Sequence, residues 1–200
     1  SNDAGGGIHR SRARSGDSVY ATGTLGDGVL ALAAMGLESH LGAALEFSAS
    51  ELNSADHQYL RAAYFQPEPR VDLGQRAVSL VSAGIDVSDG LLGDLGHIAH
   101  ASGLAARVDL SALPVSSVAQ KALSPAGQQR AAMLGGDDYE LCLTVAPDKA
   151  LALEQLAAEL QVPLTRIGKM EAGSGVHCAD HRGRPVSFPV SSYQHFAGES

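Results

Sequence analysis

The sequence predicts an α/β domain in which helices pack on a mixed β-sheet. Helical and strand-like segments alternate along most of the chain, the pattern of a sheet covered by helices. Near the end, residues 176–178 and 186–188 are short and strand-like, and they flank a polar turn at 180–184 as a hairpin would, which adds antiparallel pairing. The chain has 200 residues, 44% of them hydrophobic, enough for one compact core. Aromatics make up only 4% and Trp is absent, so that core must be built mainly from Ala, Leu and Val.

The elements follow in order. Residues 1–7 read as a flexible leader, and residues 9–17, with Arg10, Arg12 and Arg14 alternating, as a solvated linker or an edge strand. Residues 18–23 form a short strand through Val19, Tyr20 and Ala21. Residues 25–36 are Ala- and Leu-rich and helical, with Gly36 where a helix stop is expected. A second helix spans 50–64, with Asn53 or Ser54 available as caps. Pro67 and Pro69 force residues 66–70 to be extended, because each proline biases its predecessor away from helix. Residues 71–82 read as a helix, 83–87 as a short buried strand and 88–90 as a turn. The helix over 91–102 carries Leu91, Leu92, Leu95, Ile98 and Ala99 on one face, and Gly103 closes it. Residues 105–110 alternate as a strand, and 116–123 form a weaker helix. Strand 141–145, helix 147–160 and strand 164–169 complete the alternation before the hairpin.

The bulk numbers narrow the function. A formal net charge of −8 argues against nucleic acid as the main partner, since binding a phosphate backbone needs a basic face. It leaves nucleotides open, because acidic groups can hold Mg²⁺ that in turn holds phosphate. Cys142 and Cys178 stand far apart and form no metal or redox motif, so two reduced thiols of a cytoplasmic protein are expected. No run is long and apolar enough to span a membrane. His97 and His100 lie one helical turn apart with no third ligand nearby in sequence.

Three segments can carry chemistry. In Ile85-Asp86-Val87-Ser88-Asp89-Gly90-Leu91, positions 86 and 88 share one side of a strand, and the turn lets Asp89 swing towards the same point. Two carboxylates and a hydroxyl thus converge where strand gives way to helix. A helix N-terminus attracts phosphate, and Mg²⁺ reconciles phosphate with the carboxylates. The same residues also suit plain helix capping by Ser88 or Asp89, with Asp86 in a surface turn. In Gly135-Gly136-Asp137-Asp138-Tyr139-Glu140-Leu141, paired glycines allow close backbone approach and Asp137 can accept from a cationic ligand; a polar loop entering a strand reads the same way. Thr22-Gly23-Thr24-Leu25-Gly26-Asp27-Gly28 leads into a helix but lacks the Lys of a P-loop, and reads first as a structural turn.

Taken together, these motifs resemble the thiamine-monophosphate kinases, within the superfamily of aminoimidazole ribonucleotide synthetase and selenophosphate synthetase. In chain order the matching pieces are Ser15-Gly16-Asp17 with Ala21 to Asp27, Pro67-Glu68-Pro69-Arg70-Val71, Ile85 to Leu91, Gly135 to Leu141, Ile167-Gly168 and Tyr193-Gln194-His195-Phe196. The resemblance implies a three-layer α/β/α domain with a mixed sheet, like the C-terminal domain of aminoimidazole ribonucleotide synthetase. It implies transfer of the γ-phosphoryl group of ATP to thiamine monophosphate. By the same resemblance, Asp86 and Asp89 hold Mg²⁺ and Ser88 touches the ATP phosphates. Asp137, where the family usually has Glu, contacts thiamine monophosphate, and Tyr193 lies against its cationic ring. No catalytic residue is assigned.

The family also has a preceding domain with further metal aspartates, the main ATP site and the interface of a homodimer. Residues 1–15 are expected to be the remnant of a linker to it, 16–196 the substrate- and metal-binding domain, and 197–200 a tail. Two other readings stay open: the same domain of another ATP-using enzyme of the superfamily, and a non-catalytic binding module. Phosphoryl transfer depends on positioning and on neutralising charge from several sides. The 200-residue chain by itself is therefore expected to fold but to show no turnover. A steady-state assay with ATP, Mg²⁺ and thiamine monophosphate giving a normal rate would overturn that expectation.

Overall fold

The structure is a computed structural model and describes residues 7–188. Seven strands form one sheet: β1 (Ser18–Thr22), β2 (Ala83–Val87), β3 (Ala105–Asp109), β4 (Glu140–Val145), β5 (Leu164–Glu171), β6 (Gly175–Ala179) and β7 (Pro185–Val186). Their order is β2-β4-β1-β5-β3-β6-β7. The sheet is mixed: β3 and β6 run parallel, and the other neighbours are antiparallel. The expected hairpin is present, with Cys178 opposite Val186 and Ala179 opposite Pro185.

Among the described residues there are seven α-helices: α1 (Asp27–Ala34), α2 (Ser54–Phe65), α3 (Val71–Arg76), α4 (Leu91–Ser102), α5 (Ser117–Ala122), α6 (Pro125–Leu134) and α7 (Ala150–Glu159). The period-two alternation of the strands splits the core between two faces. On one face Val19, Ile85, Val87, Cys142 and Ile167 pack with Leu91, Leu95 and Ile98 of α4 and Met133 of α6. On the other, Tyr20, Leu143 and Val145 pack with Leu73 of α3 and Leu153 and Leu156 of α7. A further cluster, including Leu30, Leu60, Val118 and Leu123, joins α1, α2 and α5 beyond α6. The result is three layers, as expected. Burial pushes the free thiols of Cys142 and Cys178 up to about 12 and about 11, so both stay protonated within the core. Among the described residues no helix is long and apolar enough to cross a membrane.

Local chemistry sets most boundaries. Asn53 caps α2 in a capping box with Asp56, and Gly103 ends α4 in the left-handed conformation. Several elements differ from the sequence expectation, among them the helix expected over 50–64, which begins at Ser54 after a separate 3₁₀ turn, Ala49–Glu51. The helix expected over 71–82 stops at Arg76; the chain turns at Ala77 so that the Ser82 amide can donate to the Thr144 carbonyl and start the β2–β4 ladder. The first turn of the helix expected over 147–160 is a separate 3₁₀ turn, Pro147–Lys149. Helix α6 was not expected at all. Its start is marked by Ser124, whose hydroxyl accepts from the Gly127 amide, and by Pro125 in the first turn. Its first half, Gly127 to Arg130, is too polar to show a helical stripe. Residues 9–17 are not a strand, although the Gly84 amide of the edge strand β2 donates to the His9 carbonyl at 3.0 Å.

Candidate functional site

The residues of the first acidic motif sit at the end of β2 and in the turn that follows. Ile85 and Val87 point into the core, so Asp86 between them faces the other side of the sheet, where it is exposed. Asp89 is exposed and Ser88 half-buried. Neither acidic side chain caps α4. Its N-cap is Gly90, at φ 103°, with no side-chain hydrogen bond. That leaves the capping alternative without support.

The turn is held from within the helix instead. Asp94, 2% exposed, accepts from the Ser88 amide at 2.9 Å and the Asp89 amide at 3.1 Å through one oxygen, Oδ2. Burial, and the nearby Asp89 and Asp86 charges, raise its pKa against the pull of those two amides. The carboxylates of Asp86 and Asp89 make no hydrogen bond or ion pair among the described residues. They offer hard oxygen donors of the kind Mg²⁺ takes together with water and phosphate. They are a partial donor set, since no group of three or more His, Cys, Asp or Glu side chains converges among the described residues.

The second acidic motif lies directly against this turn. The Asp137 amide donates to the Ser88 carbonyl and the Tyr139 amide to the Val87 carbonyl, both at 3.0 Å. Asp137 and Tyr139 both have positive φ, 64° and 54°. The approach is so close that a Cβ on Gly136 would stand 2.4 Å from the Ser88 carbonyl oxygen. Asp137 and Ser88 are therefore neighbours, and the following Tyr139 presents an exposed aromatic ring. Tyr193 lies outside the described residues.

The remaining acids of the motif point inward and organise the third loop. Asp138 accepts from the Gly26 amide at 2.8 Å and the Gly28 amide at 3.1 Å. Desolvation, with the charges of Asp27 and Glu140 adding to it, pushes the Asp138 carboxyl up to about 8 despite those bonds. The amides of the glycine-rich loop are thus occupied by protein, which accords with its reading as a structural turn. Asp27, also buried, accepts hydroxyl hydrogen bonds from Thr24, Tyr59 and Ser116 at 2.6–2.8 Å. Glu140 is buried at 7% exposure and gripped on both oxygens by Arg70, at 2.8 and 2.9 Å, with the Thr22 hydroxyl as a third donor. Only glycine fits at position 23, because a Cβ there would collide with that carboxylate.

Sequence reasoning missed Asp94, Asp138 and the Arg70–Glu140 pair as organisers. The signal for Asp94 was legible: it is a lone acid on the buried stripe of Leu91, Leu95 and Ile98. Hollows of about 220 Å³ beside α1 and α2 and about 420 Å³ beside β3 and β5 both lie elsewhere and are lined by other residues.

Residues 14–180 match the family described as AIR synthase related protein, C-terminal domain. The chain belongs to this family. It is 41% identical over 195 residues to the thiamine-monophosphate kinase of Salmonella typhimurium, covering 97% of this chain and 57% of that one. A crystal structure of thiamine-monophosphate kinase from Stenotrophomonas maltophilia K279a superposes with a TM-score of 0.75 at 43% identity, over 90% of this chain and 54% of the other. AaThiL complexed with AMPPCP and TMP superposes with a TM-score of 0.68 at 27% identity, over 90% of this chain and 52% of the other. The chain thus spans little more than half the length of these relatives.

Two outcomes test the organising contacts. Arg70→Ala leaves Glu140 buried without its partner and is expected to cost about 3 kcal/mol in urea unfolding. A loss below about 1 kcal/mol would mean that the pair is screened by solvent. Asp138 binds its proton more tightly folded than unfolded, so the stability this gives is complete below about pH 4 and is lost as the pH rises towards 8. Asp138→Asn lacks that loss. Its melting temperature relative to the parent is expected to rise between about pH 5 and about pH 8. A difference independent of pH would contradict the raised pKa.

Proposed function

We propose that this chain forms one wall of the active site of a thiamine-monophosphate kinase, which transfers the γ-phosphoryl group of ATP to thiamine monophosphate to give thiamine diphosphate. The observation that carries this reading is the surface shared by the two acidic motifs. Asp86 near the end of β2 and Asp89 in the turn after it expose unpaired carboxylates, Asp94 holds the amides of that turn, and Asp137 stands next to it. The similarity to named thiamine-monophosphate kinases over nearly the whole of this chain supports it. So does the complex of a structural relative with AMPPCP and TMP.

The residues divide the work by chemistry. Asp86 and Asp89 repel phosphate on their own, and they fit as ligands of Mg²⁺. That ion, when bound, neutralises the charge of the transferring phosphoryl group. Ser88 presents its hydroxyl at the same turn and orients the ATP phosphates. Asp137 accepts from the amine-bearing substrate and favours its cationic ring, and Tyr193 stacks on that ring. Asp137 is one carbon shorter than the family's usual Glu, and its amide donates to the Ser88 carbonyl at the turn. We further propose that the full-length protein acts as a cytoplasmic homodimer.

In the full-length gene product, Asp86→Asn and Asp89→Asn are each expected to lower kcat by about 100-fold or more. Part of the loss should return at raised Mg²⁺. Thiamine diphosphate formation followed by chromatography measures this. Rates within a few-fold of the parent for both variants would exclude the assignment.

A further inference from the structure

We infer that Asp94 is the positioning residue of the metal-binding turn: it holds no ligand itself but sets the direction of Asp89 by holding the turn's two amides. The inference rests on the proposed role of Asp86 and Asp89. Its own basis is geometric. Asp94 lies one turn into α4, on the stripe where Leu91, Leu95 and Ile98 are fully buried. From there a single oxygen reaches back to both the Ser88 and Asp89 amides, at 2.9 and 3.1 Å.

A buried carboxylate is a costly way to stabilise a helix. Here it also lies near the like charges of Asp86 and Asp89. A side chain chosen for packing alone would be apolar, like its neighbours on the stripe. What the carboxylate supplies, and an apolar side chain cannot, is a double acceptor for two consecutive amides. Gly90 leaves that turn without any side-chain cap, so Asp94 is the side chain that fixes its backbone. Fixing Ser88 and Asp89 fixes where the Asp89 carboxylate and the Ser88 hydroxyl emerge, on the surface shared with Asp137. Residues that orient metal ligands typically change metal affinity by about 10- to 100-fold when removed.

The 200-residue chain tests this by NMR, with Mg²⁺ alone as the probe. Two quantities are read at Ser88 and Asp89: amide hydrogen exchange without metal, and the Mg²⁺ dissociation constant from amide shifts. Asp94→Ala is expected to speed exchange at both amides and to weaken Mg²⁺ by at least about 10-fold. Asp94→Asn keeps an acceptor oxygen in the same place and is expected to restore most of both, which also covers the case in which the alanine variant folds poorly. Faster exchange with unchanged Mg²⁺ affinity would reduce Asp94 to a structural role and overturn the inference. Unchanged exchange would overturn it as well. Absence of any Mg²⁺ response in the parent chain would overturn the metal assignment and this inference with it, and the exchange data tell that failure from the others.

Discussion

The buried carboxylate of Glu140 is the tie on which the site-bearing end of the sheet depends. It opens β4 between β1 and β2, and within a few ångströms it takes two bonds from Arg70 and one from Thr22. Those contacts bring together the extended segment before α3, the end of β1 and the start of β4. A carboxylate in that position must be neutralised, because desolvating a charge without a partner is far more costly than the pairing. The requirement ties Arg70 to the sheet and excludes any side chain at Gly23.

The same logic recurs along the two neighbouring loops with a different donor. Asp138 and Asp94 each sit where solvent is largely excluded, and each is answered by a pair of backbone amides rather than by a cation. An amide pair at a loop is also a constraint on that loop. Each inward acid therefore settles the conformation of the segment facing it: Asp138 the glycine-rich loop before α1, and Asp94 the turn before α4. Asp86 and Asp89, both exposed, and the half-buried Asp137 are then carried on that frame.

Close approach of backbones makes this frame possible. Gly136 lies against the Ser88 carbonyl and Gly28 against the carbonyls of Gly136 and Asp137, so three loops meet with no side chain between them. Family membership and the superposition on a thiamine-monophosphate kinase show that this fold is shared with that family.

The sequence by itself determined the alternating elements, the hairpin at 176–186 and the exact span of α4, because periodicity, caps and turn residues act over a few positions and are written locally. The order of its motifs also carried the resemblance to the family whose C-terminal domain the chain matches. Helix α6 escaped it, because a polar first half hides the apolar period that burial of Ala131, Ala132 and Met133 satisfies only in the folded protein. Helix α3 was overextended for a related reason: its end is set by the strand pairing of Ser82 with Thr144, a contact across 62 positions of sequence. Only the tertiary structure decided which acids turn inward. Asp86 and Asp94 are alike as letters, and the difference between an exposed carboxylate and a buried clamp lies in the face of the strand or helix each occupies and in the amides that happen to meet it there.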